Sequence, residues 1–276
     1  MNTGKKNHLG KIKLSKHIKK EWRLYSFLII PILYFVIFKY IPMFGNIIAF
    51  RKYSGGVNIF GEKWVGLRYF KQFLRDPSFW RAFRNTLFLS VSYLIVRFPL
   101  TLIFALLLNE IRNIKWKKFV QTVSYLPHFI SMVIIAGMIK EVVSLSGPIN
   151  TLLSSFGMEK ISFIQEASWF PPIYIISGIW QALHVTIPGI LPTIVTLLIL
   201  DIGGIMGSNF EKIILLYLPS TYETADVIST LVYRMGISGG NFSYATAVGL
   251  FEGIIGLILV TTANFVSKKI TESSLW

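Results

Sequence analysis

The chain has 276 residues, 53% hydrophobic and only 15% charged, where a soluble domain carries about 25% charge. Long apolar runs with scarce charge mark an integral membrane protein and exclude a soluble globular enzyme. The absence of cysteine excludes disulfides, thiol catalysis and Cys-based zinc sites, and four scattered histidines predict no metal centre. The net charge of +15 sits on cations between the apolar runs, with no nucleic-acid-binding motif, which fits a cytoplasmic face against anionic lipid.

Residues 1–23 form a basic tail with Lys5, Lys6, Lys11, Lys13, Lys16, Lys19, Lys20 and Arg23. The positive-inside rule makes it cytoplasmic. It is too long and polar before the first apolar run to be a secretory signal, and no A-x-A-like site follows that run. Leu24–Ile41 is the first span, with Lys39 snorkelling at its outer end and Pro42 ending the helix; the region extends over 24–50. Residues 51–84 are expected outside, although Arg51, Lys52, Lys63, Arg68, Lys71, Arg75, Arg81 and Arg84 face only Glu62 and Asp76. An amphipathic interfacial helix over Leu67–Leu74 accounts for part of that charge, with Leu67, Phe70, Phe73 and Leu74 on one face.

The permease-like region, 85–266, starts with a second span, Asn85–Leu108, apolar except for Arg97. The loop Asn109–Lys118 is basic and cytoplasmic. Phe119–Ile139 is a third span interrupted at Pro127-His128. Lys140–Ser168 is an external loop with a short helix over Asn150–Phe156. Phe170–Met206 is a nearly continuous apolar run, close to twice the ~20 residues a span needs. It is either a hairpin of two short spans turning at Pro188-Gly189 or one span plus a re-entrant piece. A second external segment, Gly207–Phe242, has a helical stretch over Tyr222–Arg234. Ser243–Val266 is the last span, where Ala245, Gly249 and Gly253 allow close backbone approach to another helix. Lys268 and Lys269 place the tail 267–276 inside. With both termini cytoplasmic the number of crossings is even, which favours the hairpin.

Several blocks resemble a known family. Asp76–Leu87, Leu106–Ile111 and Val123–Ser131 resemble the permease domain of type I ABC importers. Asn209–Pro219, Tyr222–Gly236 and Ser243–Phe251 are similar to the oligosaccharide-importer permeases of the LplB-like, alginate-transporter type. The resemblance covers nearly the whole chain after residue 20. It implies an all-α integral membrane protein of about six transmembrane helices in the bacterial cell membrane, without chemistry of its own. It also implies a second permease subunit, cytoplasmic ATPase subunits that bind the ATP, and an extracellular solute-binding lipoprotein. The chain departs from the family in one place. The EAA coupling loop, which docks the ATPase, is missing between helices 4 and 5, which are shortened and joined directly. Val185, Ile187, Pro188 and Gly189 resemble a remnant of its end. Restoring span and loop takes on the order of 30 residues.

Ionisable residues inside spans are functional candidates because membrane burial makes them costly. Here they are Arg97, His128, Asp201 and Glu252. They either line a translocation path and bind sugar hydroxyls, or pair with one another, for example Arg97 with Glu252. Tyr222, Asp226, Tyr233 and Arg234 either contact a sugar or the binding protein, or pack among themselves. No nucleophile–base pair, metal cluster or phosphate loop is present, so ATP is expected on a partner chain. The expected function is a carbohydrate importer permease. The alternatives are a degenerate permease uncoupled from its ATPase and an ATP-independent membrane interaction protein.

Overall fold

The computed structural model describes residues 20–56, 58, 60–182, 191–207 and 209–271. Among these the secondary structure is helical apart from an isolated antiparallel bridge between Arg51 and Trp64. Helix α1 (Trp22–Phe35) continues through a π-helical turn, Val36–Tyr40, and a 3₁₀ stretch, Phe44–Phe50. The apolar part, Tyr25–Phe50, is 26 residues long. Pro42 therefore does not end the first span. The widened turn before it shifts the backbone bonding around a residue that has no N–H to give. Side chains along this span, Phe27 and Ile30 among them, are exposed as lipid-facing residues would be. Ala49 and Phe50, at its far end, pack into the protein core.

Helix α2 (Arg68–Leu74) is amphipathic as expected, but its apolar side is not left for lipid headgroups. Tyr69 and Phe73, one turn apart, are buried against the bundle, with the Phe73 and Phe79 rings 4.7 Å apart and Phe251 at 5.5 Å. Leu67 and Leu74 stay exposed. Tyr69 and Phe73 thus hold the helix to the bundle.

Helix α3 (Pro77–Glu110) is 34 residues long and starts earlier than the apolar run alone predicts. Asp76 Oδ1 accepts the Ser78 N–H at 2.8 Å, and Pro77 occupies the first turn, where no N–H is needed. The third span is broken: α4 (Ile114–Phe129) and α5 (Met132–Val142) meet at 102°. The break falls after Pro127, at Ile130-Ser131, where Ser131 caps α5. Helix α6 (Pro148–Ser155) follows in the outer loop, whose turn is fixed by buried Asn150. Its amide donates to the Ser144 and Ile161 carbonyls, each at 2.9 Å.

The long apolar run gives α7 (Phe170–Ala182) and α8 (Leu191–Gly203), 13 residues each. Residues 183–190, with Val185, Ile187, Pro188 and Gly189 and the expected turn at Pro188-Gly189, lie outside the described residues. Helix α7 packs on α3, and α8 packs on the last helix, α11 (Phe242–Thr271). Between them come α9 (Phe210–Leu216) and α10 (Ile228–Val232). The expected helix over Tyr222–Arg234 is thus in pieces, interrupted by extended backbone at Asp226-Val227. Ala245 does stand at a close approach, since a Cβ on Gly236 would strike its Cβ, and a second close approach lies elsewhere. A Cβ on Gly203 of α8 would strike Val260 of α11, whereas one on Gly249 or Gly253 would meet open space. Among the described residues three helices are long and apolar enough to cross a membrane, and four if the bent α4–α5 pair counts as one span.

Phe73→Ala should lower the unfolding free energy in detergent by about 3–5 kcal/mol through the cavity it leaves. Leu67→Ala should change it by about 0.5 kcal/mol or less. Equal effects would return α2 to the membrane interface.

Candidate functional site

The site is organised about Arg97. Because α3 starts at Pro77, Arg97 lies about 30 Å from the N-terminal end of its helix, well inside the bundle. Its Nη2 reaches Asp201 Oδ2 at 3.1 Å and Oδ1 at 3.4 Å. The partner of Arg97 is therefore Asp201 on α8, not Glu252. The guanidinium also lies over the Tyr93 ring, 5.6 Å from its centroid and one helical turn away. The Tyr93 hydroxyl donates to the Gly178 carbonyl on α7 at 3.1 Å. Glycine is required there, since a Cβ would stand 2.6 Å from Tyr93 Cε2. One arginine thus ties α3, α7 and α8 together.

Two adjoining cavities, of about 340 and 300 Å³, open around this junction and share Tyr93, Arg97, Tyr174 and Asn209 in their walls. Asp201 and Ser90 line the larger one, and His128, Gln181 and Lys212 the smaller. The structure therefore gathers Arg97, His128 and Asp201, three of the four intramembrane candidates. Glu252, on α11 beside the aromatic cluster, lines neither cavity.

Lys212 is the residue that sequence reasoning missed. Ile213 and Leu216 of α9 are buried with Leu89, Ala136 and Tyr174, and this fixes the orientation of the short helix. Lys212 is carried inward and is 1% exposed. Its ammonium donates to the Tyr174 carbonyl at 3.0 Å and sits 5.1 Å from the centre of that ring. Burial pushes it down to about 7. The one sequence signal was a lysine opening the run Ile213–Leu216, three residues after a capping Asn209.

The outer candidates are mutually engaged. Asp226 is fully buried and accepts from Arg234 Nη1 at 3.0 Å, Arg234 Nη2 at 2.7 Å and Thr230 Oγ1 at 2.9 Å, with Arg81 at 3.7 Å. The Asp226 carboxylate holds Arg234 above its usual range, chiefly through these bonds. Tyr222 lies under the Arg234 guanidinium at 4.6 Å and stacks on Tyr217. Burial pushes Tyr217 up to about 12. Tyr233 packs on Phe210 and keeps part of its ring exposed. Among the described residues no group of three or more His, Asp or Glu stands close enough to hold a metal ion.

Asp226→Asn should destabilise the protein by about 3–5 kcal/mol, because it strands the buried side of Arg234. Intact stability in that variant would mean the pair is dispensable. For Lys212 the sign follows from a folded value near 7 against 10.5 when free. The cost of burying its charge is fully present below pH 7, fades as the pH rises and is gone above the free value. Lys212→Met should therefore raise the melting temperature at pH 6, with a gain that shrinks toward pH 10. A gain independent of pH would contradict a buried ammonium.

No family model matches the sequence. Protein LplB of Bacillus subtilis is 38% identical over 294 aligned positions, covering 94% of this chain and 92% of that one. The polygalacturonan/rhamnogalacturonan transport system permease protein YteP of the same organism is 38% identical, covering 95% of this chain and 92% of its own. A solved bacterial ABC transporter that imports the acidic polysaccharide alginate contains a chain that superposes with a TM-score of 0.84 at 38% identity, covering 94% of this chain and 99% of that one. The alignment with LplB runs over 294 positions against 276 residues here, so at least 18 of them face a gap in this chain. With this identity along nearly its whole length, the chain belongs to the LplB-type family of ABC importer permease subunits, multi-pass proteins of the cell membrane.

Proposed function

We propose that the chain forms one half of the translocation path of a binding-protein-dependent importer for oligosaccharides, with Arg97, His128, Asp201 and Lys212 on the path. The observation that carries this reading is the pair of polar-lined cavities within a helical bundle whose other surfaces are largely apolar. A path built this way presents hydrogen-bonding groups to hydroxyls without a catalytic constellation, so ATP binding and hydrolysis belong to partner ATPase subunits. A second permease completes the path, an extracellular solute-binding lipoprotein delivers the sugar, and both termini are cytoplasmic. The alginate transporter solved with its pentasaccharide-bound periplasmic protein supports this assembly. Tyr233, partly exposed on the outer segment, is the remaining outer candidate for contact with the binding protein.

A specific observation favours a second reading, a permease uncoupled from its ATPase. The gap of at least 18 positions against LplB supports a missing coupling loop, which the sequence pattern puts at Leu183-His184. Without the loop the ATPase has no main docking element, and the fold and outer contacts remain.

Both readings are tested by uptake of a labelled oligosaccharide into vesicles carrying this chain, the second permease, the ATPase and the binding protein. Inserting a coupling loop of about 30 residues after Gln181 should raise uptake and ATPase co-purification sharply. Identical uptake before and after insertion would end the uncoupling reading. On the loop-restored chain, Asp201→Ala should cut uptake about tenfold or more, while Glu252→Gln retains most of it. Full uptake with Asp201→Ala would remove the cavities from the path.

A further inference from the structure

The cations in the smaller cavity outnumber the carboxylates that answer them. Asp201 serves Arg97, but among the described residues no ion pair includes Lys212. An ammonium has three donors, and the one hydrogen bond Lys212 makes is to the Tyr174 carbonyl. The Nε–H of Arg97 is also buried without an acceptor. Both side chains line the same 300 Å³ space with Tyr93, Gln181 and His128. Buried charges are normally answered by an opposite charge, and buried donors by acceptors. Here a positive wall with unused N–H groups faces a cavity large enough to hold part of a sugar chain.

We propose that this cavity is an anion subsite that takes the carboxylate of an acidic sugar, with Lys212 as its counter-ion. A carboxylate fits the wall because it only accepts hydrogen bonds and its two oxygens can serve two donors at once. A neutral sugar brings hydroxyls that satisfy the donors but leaves the Lys212 charge unanswered. The cavity therefore discriminates by charge, through a residue on α9 rather than on any of the long spans. This inference rests on the path reading above and names the substrate class that the path selects.

The test is equilibrium binding of digalacturonate and of neutral galactobiose to the chain assembled with its second permease in lipid nanodiscs. The unsubstituted protein should bind digalacturonate about tenfold or more tighter than galactobiose. Lys212→Gln should bring the two affinities within about twofold by weakening digalacturonate far more than galactobiose, and Lys212→Arg should keep the preference. Equal binding of the two sugars by the unsubstituted protein overturns the proposal and leaves the path reading standing. A parallel fall for both sugars in Lys212→Gln also overturns it, because Lys212 would then only anchor α9. Binding of neither sugar instead counts against the path itself.

Discussion

The ion pair between Arg97 and Asp201 is the interaction on which the interior of this protein depends. A guanidinium on a membrane-spanning helix must be answered within reach of its side chain, because lipid offers it nothing. Asp201 gives that answer from α8. The pair thus pins α8 to the longest helix, while Gly203 lets the other side of α8 settle against Val260 of α11. Tyr93 lies beneath the same guanidinium and reaches Gly178, so α7 is drawn to the same point. The polar cavities are the space left where three helices converge on one charge.

The outer knot around Asp226 has a different job, and it sets where the cavity wall lies. Asn85 of α3 donates to the Glu223 and Asp226 carbonyls at 2.9 and 3.0 Å, and Thr86 accepts the Ile228 N–H at 2.9 Å. These bonds fix the segment after α9 to the start of α3. Together with the buried Ile213 and Leu216 they hold Lys212 inward at a cost in stability. A rigid outer segment therefore presents a buried cation to an inner cavity. The same packing keeps Asp226 from any external ligand, and Tyr222 and Arg234 are bound into the knot with it.

The sequence made the long elements legible because periodic apolar runs carry their own signal. The first span, α3, α11 and the break in the third span all follow from length and composition. The family resemblance rested on motif blocks that lie outside the stretch where the coupling loop is expected. What could not be read depends on contacts between distant parts of the chain. Apolar spacing marked one face of α2, but periodicity cannot say whether lipid or Phe79 covers it. Arg97 had two acidic residues to choose from, and the choice was made by the packing of α8. Helix α9 has seven residues, too few for a helical signal of its own, so only the place of Lys212 ahead of Ile213–Leu216 hinted at its burial. Pro42 looked like a terminator because a π-helical turn cannot be foreseen from residue type.

The central claim is that water and sugar enter the cavities around Arg97, and the absence of native cysteine makes this directly measurable. Ser90 lines the larger cavity, while Ile95 projects outward from the same helix and is 65% exposed. Single cysteines at these positions, in the complex assembled in lipid, can be challenged with a water-soluble thiol reagent from both sides of the membrane. The account predicts that Ser90→Cys is labelled and that oligosaccharide protects it, while Ile95→Cys, facing lipid, stays unlabelled. A Ser90→Cys protein that resists the reagent, or that labels equally with and without sugar, would contradict it.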